Sequence, residues 1–507
     1  MSKSTQIEHR VLKTTAVSFL STGLSILLQL ITVPICLRYW GKSTFGTWLA
    51  LSATYTLLRT IDGGFTTFVG NKLNMLYHTD KDKMRKIMAS AVWGVLLLGS
   101  LQILIVLTLY FTHSMGLLMD TRDGNITTQQ TIFGLVIMSI TWILSGSYIG
   151  ILHRFLIPAG MLYQLLWWML LLQVSQSAAI FIAAYFQFSI FSAALFFSFA
   201  QASVYIISAF YIKRKLPKYF PWLKGSSFKV GVKEIYNSVP MTINGIVQQV
   251  GSSGLIILVS AMLGPAMVPI YSTMRTLSNL WTTVTNIVTA PLLPDIVRFH
   301  STREPRKFSS VHQTHIVLMS IVINLSLLLA YPLIELVYTF WTSNKLPFDH
   351  ELMSLLMASV AVFAFNSLFN VFLTGLNNNG YLIVSGVLRG LFVVLLSWIF
   401  IPYVGLDGIG YAVLSAEILL LGANNLIFIR QEMNKIGATE NQMFTWYDYL
   451  SFFPVVIFLV GSSFIQKISP TFYVVTLICV LIGIYFSWCH LDIGIKSRIK
   501  KILRIIK

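Results

Sequence analysis

Four ionisable residues, Arg59, Asp62, Arg389 and Glu417, stand inside long apolar stretches of this chain. A charge in such a setting is costly unless it is paired or hydrated, so each one marks a possible ion or substrate path. Arg59 and Asp62 lie three residues apart, which puts both on one face of a helix where they can pair. Gly63-Gly64 follows at once and predicts a flexible or broken helix end. Arg389 sits about a third of the way into its stretch, and Glu417 lies near the middle of its own with no cation beside it in sequence. Arg275 opens a further stretch, and Asp295 closes it after Pro291 and Pro294. Asn244 and Gln248, spaced i, i+4, share a helix face and are followed by Gln249. Arginines in a wet cavity could hold an anionic group, a carboxylate such as Asp62 or Glu417 could take a proton or sodium, and the amides could meet a sugar-like ligand. Each residue also has a plainer reading. Arg59–Asp62 could be a structural ion pair, Arg389 could snorkel to the interface, Arg275 could mark a boundary, and the amides could join helices.

No soluble-enzyme motif competes with these residues. Gly41-Lys42-Ser43-Thr44 resembles the end of a phosphate-binding loop, but position 36, where that motif needs glycine, is Cys36. There is no HExxH, GxSxG or strand-associated GxGxxG pattern. Cys36, Cys479 and Cys489 have no metal-ligand spacing, and the histidines are scattered. No cofactor and no metal are expected. Trp167-Trp168 reads as packing or lipid contact before it reads as a sugar platform.

The elements that must position these residues follow from composition. Of 507 residues, 55% are hydrophobic and only 11% charged, and the mean hydropathy is +0.74. Such a chain cannot cover a water-facing surface and must be an all-α, multispanning membrane protein. Fourteen segments have the length and apolarity to span: 14–36, 44–70, 87–111, 131–153, 160–186, 188–212, 238–263, 270–294, 314–336, 352–375, 381–402, 408–429, 449–466 and 472–489. Residues 155–212 carry no charge and are too long for one span, which predicts a hairpin turning near Gln187. If the N-terminus lies inside, 28 of the 36 Lys and Arg fall on the inner side and 6 on the outer, which fixes an even number of spans with both termini cytoplasmic. The same bias explains the net charge of +18 without nucleic acid. The basic loop 213–237 then separates an N-terminal six-helix lobe, 1–212, from a second six-helix lobe, 238–430. A two-helix hairpin, 431–489, and a basic amphipathic tail, 490–507, follow; the tail suits an anionic leaflet. Pro34 and Pro240 sit in the span that opens each half. Loops are short, so no soluble domain fits, and nothing in the sequence demands more than a monomer.

Several of these segments resemble a known family. Arg38-Tyr39-Trp40-Gly41 with Phe45-Gly46 is similar to the connection between spans 1 and 2 of polysaccharide flippases. Asp62-Gly63-Gly64-Phe65 is similar to their signature ending span 2. Phe228 to Pro240, basic and then Ser-Val-Pro, is similar to their approach to span 7. These are the polysaccharide transporters of the multidrug/oligosaccharidyl-lipid/polysaccharide exporter superfamily, with O-antigen repeat-unit flippases the nearest type. The resemblance implies two six-helix lobes in a V plus two extra helices, in a bacterial inner membrane. It implies transfer of a polyprenyl-diphosphate-linked oligosaccharide from the cytoplasmic to the periplasmic leaflet by alternating access. It also implies membrane lipids, a polysaccharide polymerase and chain-length machinery as partners. Only Asp62 is carried over as a motif match.

Two other functions were weighed. Multidrug efflux within the same superfamily favours an acidic, aromatic cavity, whereas the buried charges here are mixed. A membrane-embedded polymerase or glycosyltransferase would want a large outer loop or acidic residues in the first outer loop, and 37–43 has none. The expectation is a transporter and not an enzyme.

Overall fold

The computed structural model describes residues 3–77, 79–112, 126–376, 378–437, 446–464 and 470–490, and the 490–507 tail lies almost wholly outside them. The described residues form fourteen helices and no strand. We label them α1 (Lys3–Tyr39), α2 (Gly41–Leu76), α3 (Lys81–Phe111), α4 (126–155), α5 (Leu162–Tyr185), α6 (Ile190–Lys215), α7 (Phe228–Leu263), α8 (268–301), α9 (Pro305–Trp341), α10 (His350–Gly375), α11 (379–404), α12 (Asp407–Ile436), α13 (Trp446–Phe464) and α14 (Pro470–His490). Eleven are long and apolar enough to cross a membrane. The protein is a multi-pass, all-helical membrane protein.

Local sequence sets the helix ends. Asp80, Ser189, Asp349 and Asn378 cap α3, α6, α10 and α11 by accepting a backbone N–H from the first turn. The uncharged run turns between α5 and α6 at Gln187, whose φ of 54° is the left-handed conformation a tight reversal needs. Gly63-Gly64 does not break α2, which runs on to Leu76. Thr66 and Thr67 both donate back to the Gly63 carbonyl, so the helix stays satisfied there. Five helices contain a π-helical turn: 142–147, 250–254, 320–324, 388–392 and 424–429. Such turns widen the helix and cluster at functional positions.

The chain divides into two compact units. The first holds Met1–Pro269 with Trp341–Leu346, and the second Ile270–Phe340 with Pro347–Lys507. In the first, α7 packs along α2 and α3. An added Cβ on Gly64 would press on the Thr242 backbone, one on Gly46 on the Pro265 carbonyl, and one on Gly231 on Ser90 and Trp93. Glycine at these places is what lets the helices approach so closely. At the end bearing the basic loop, Lys72 Nζ sits 2.7 and 2.6 Å from the two oxygens of Glu234. The loop is docked there too. Tyr219 and Trp222 are buried against Phe155 and Tyr148, and Arg85 donates to the Lys218 carbonyl. In the second unit α10 is the enclosed centre: between Leu352 and Leu373 only Phe363 and Val371 are not fully buried.

Candidate functional site

Each unit encloses its own polar cluster. In the first, Asp62 of α2 is completely buried. Its Oδ1 accepts from Gln102 Nε2 of α3 at 2.8 Å and from Trp142 Nε1 of α4 at 2.9 Å. Its Oδ2 is buried and has no hydrogen-bond partner among the described residues. The expected Arg59–Asp62 pair does not form. Instead the Arg59 guanidinium lies over the Trp142 ring, 4.8 Å from its centroid, and 5.9 Å from that of Tyr55. The two residues share a helix face, but Trp142 draws them apart by donating its N–H to the acid and offering its ring to the base. Trp142 stands on a π-helical turn, and Tyr205 meets it edge-on. Tyr55 donates to Gln201 at 2.8 Å, and His153, stacked on Tyr205, bonds Ser208 at 2.7 Å. A sealed carboxylate with one lone oxygen is a natural seat for a proton or a monovalent cation. An arginine held by aromatic faces and a tyrosine hydroxyl, with no acid on it, keeps most of its five N–H groups for an anion.

In the second unit the sequence suggested no cation beside Glu417, and the fold supplies one. Arg389 Nε and Nη2 grip Glu417 Oε1 and Oε2 at 2.7 and 2.8 Å, a bidentate fork. Arg389 also covers the Phe363 ring at 5.1 Å. It stands on the π-helical turn 388–392 of α11, with Glu417 on the neighbouring α12. Next to them Tyr381 donates to Asn370 Oδ1 at 2.9 Å, and Asn424 donates to both Asn366 and Asn370. Further along α10, Thr289, His315 and Ser367 tie α8, α9 and α10 together through bonds of 2.9–3.3 Å. His312, one turn from His315, stacks on Phe369.

The remaining candidates make contacts of their own. Gln248 donates to Asn244 at 3.2 Å, one turn away on the less buried side of α7, as the i, i+4 spacing predicts. Arg275 donates to Tyr271 and lies over its ring within α8. Trp167 is about half exposed, and Trp168 meets Tyr211. Sequence reasoning missed Gln102, Trp142, Asn366, Asn370, Asn424 and the buried histidines. A usable signal was present in the i, i+4 asparagines of α10, since two amides one turn apart in an apolar helix need internal partners.

No known protein-family model matches the chain, and no curated protein matches its sequence. Its fold matches solved structures. One is a multidrug resistance MATE family transporter of the MOP superfamily in an inward-facing conformation, with a TM-score of 0.61 and 12% identity over 82% of this chain and 96% of that one. Another is the lipid II flippase MurJ in an inward closed conformation, with a TM-score of 0.62 and 16% identity over 96% of this chain and all of that one. At these identities the likeness establishes the fold.

Proposed function

We propose that this protein is a flippase that moves a polyprenyl-diphosphate-linked oligosaccharide, a surface-polysaccharide repeat unit, across the membrane by alternating access. The observation that carries the reading is the state of Arg59. It has no carboxylate within ion-pairing distance among the described residues, lies over the Trp142 ring and meets Tyr55 by ring and hydroxyl. A partly buried guanidinium without an acid suits a ligand that brings its own negative charge. Arg59 in the first unit, and Arg275 and Arg389 in the second, are each candidate contacts for the diphosphate, Asn244 and Gln248 are candidate contacts for the glycan, and the lipid tail stays in the bilayer. Asp62, with its lone oxygen, is the group that couples transport to a proton or sodium gradient, and Glu417 is the second candidate. On this reading α7 opens the second six-helix lobe, and its packing along α2 is one position in the cycle. Support comes from likeness in fold to the lipid II flippase MurJ. The likeness to a multidrug transporter keeps efflux as the second reading.

The test is deletion of the gene in its host. Lipid-linked oligosaccharide trapped in the cytoplasmic leaflet, with surface glycan lost and restored by the wild type but not by Arg59→Ala, is expected. Normal surface glycan in a host without a redundant flippase, together with new drug sensitivity, overturns the proposal in favour of efflux.

A further inference from the structure

We propose that Glu417 is a built-in placeholder for the anionic ligand on Arg389, so that loading of a phosphate group there displaces Glu417 and is accompanied by uptake of one proton. The inference deepens the flippase reading and rests on it.

The two units treat their arginines differently. Arg59 has no acid, whereas Arg389 is already satisfied by a carboxylate in the geometry a phosphate would use. The fork occupies the Nε–Nη2 edge, and the Tyr381 hydroxyl is the other polar group within hydrogen-bonding reach of the guanidinium. The Arg389 side chain keeps 29% exposure while that of Glu417 keeps 11%, so the pair is approached from the arginine side. The π-helical turn that carries Arg389 gives its backbone room to shift.

Charge balance then dictates the step. The resting pair is neutral. A phosphate group that takes over the fork breaks two N–H···O bonds to Glu417 and makes two to phosphate. A carboxylate left alone among apolar helices is too costly to stay ionised. Glu417 therefore takes a proton from hydronium in the bulk, one O–H bond breaking there as one forms on the carboxyl, and the phosphate's charge is left beside Arg389 with no carboxylate opposing it. Release is the reverse: Glu417 gives up its proton, reclaims the fork and expels the anion. The surroundings leave this proton to Glu417 alone. α10 carries no ionisable side chain between Glu351 and Gly375. On α11 Arg389 is the sole charge between Tyr381 and Tyr403, and on α12 Glu417 is the sole ionisable group between Tyr411 and Arg430. Tyr381 is the other titratable group beside the pair, and its hydroxyl donates to Asn370 while facing the Arg389 guanidinium.

The experiment is calorimetric binding to the full-length protein in nanodiscs, with inorganic pyrophosphate and farnesyl diphosphate as probes, in buffers of different ionisation enthalpy. At about pH 8 farnesyl diphosphate is largely ionised, so proton uptake on its binding reports the protein, while inorganic pyrophosphate, which keeps a proton there, serves to compare affinities. The expected result for the wild type is one proton taken up per farnesyl diphosphate bound, with affinity falling about tenfold per unit rise in pH. In Glu417→Gln the uptake vanishes and binding at high pH tightens about tenfold or more. Wild-type binding without proton uptake overturns the exchange and needs no variant to be folded. Equal or weaker binding by a folded Glu417→Gln overturns it as well. If Arg389→Ala binds as the wild type does, Arg389 is not the anion site, and both the exchange and this part of the flippase reading fall. Binding lost in Arg389→Ala with no uptake in the wild type leaves the flippase reading standing and removes only the exchange. Tight pyrophosphate binding with none of farnesyl diphosphate identifies a free-phosphate site and overturns the lipid-linked form of the proposal.

Discussion

Adjacent glycines in α2 should respond to alanine with opposite signs. A Cβ on Gly64 would lie 2.6 Å from Thr242 Oγ1 and 2.7 Å from its backbone nitrogen, while one on Gly63 meets nothing within 4 Å. The nearest atom, Thr242 Cα, would lie at 2.4 Å, and backbone cannot step aside like a flexible side chain, so α2 and α7 must part by roughly 1 Å to reach ordinary contact, a gap that forfeits up to about half of the dispersion at the seam. Overpacking of this kind costs about 1–3 kcal/mol. Alanine's better helix propensity returns up to about 1 kcal/mol. Gly64→Ala should therefore lose about 1–2 kcal/mol net, whereas Gly63→Ala should be neutral or gain up to about 1 kcal/mol. The assay is thermal unfolding of the purified protein in one detergent, followed by tryptophan emission. For a unit of this size the loss lowers Tm by about 2–8 °C. If Gly64→Ala is as stable as Gly63→Ala, the α2–α7 seam is not packed as described, and the role given to the glycine is wrong.

Other predictions follow from the same geometry. Lys72→Gln should cost about 1–3 kcal/mol, less than a fully buried pair because Lys72 is partly exposed, and the exchange Lys72→Glu/Glu234→Lys should recover most of it in the same unfolding assay. Thr60→Cys/Gly245→Cys should form a disulfide, since a Cβ on Gly245 lies 3.5 Å from Thr60 Cγ2. If α7 leaves α2 during the cycle, that cross-link should stop transport and reduction should restore it; full activity while cross-linked would show that the seam never opens. Asp62→Asn keeps an oxygen for Gln102 and Trp142 but strands an amide N–H in place of the lone Oδ2, at about 1–3 kcal/mol. It should fold and lose the dependence of transport on the ion gradient, and unchanged gradient dependence would remove Asp62 from the coupling role.

Helix count, the Gln187 turn and the all-helical membrane fold were legible because hydropathy and turn chemistry are local. So was the Asn244–Gln248 contact, which is one helical turn long. Partners from other helices were not legible. Spacing alone offered Asp62 only Arg59, because Gln102 and Trp142 lie 40 and 80 residues away in sequence. Glu417 looked unpaired for the same reason, since Arg389 reaches it from the preceding helix. The Gly63-Gly64 pair signalled a break when read against local propensity. In the fold it serves the close approach of α7, a tertiary demand that propensity does not record.

The central claim is movement of a lipid-linked, anionic glycan, and reconstitution tests it most directly. Purified protein in liposomes is supplied with a polyprenyl-diphosphate-linked oligosaccharide in the inner leaflet, and its appearance outside is followed with an impermeant lectin. The account predicts outward movement much faster than in protein-free liposomes, lost in Arg59→Ala and Arg389→Ala. Movement no faster than in empty liposomes, with organic cations carried instead, would contradict it.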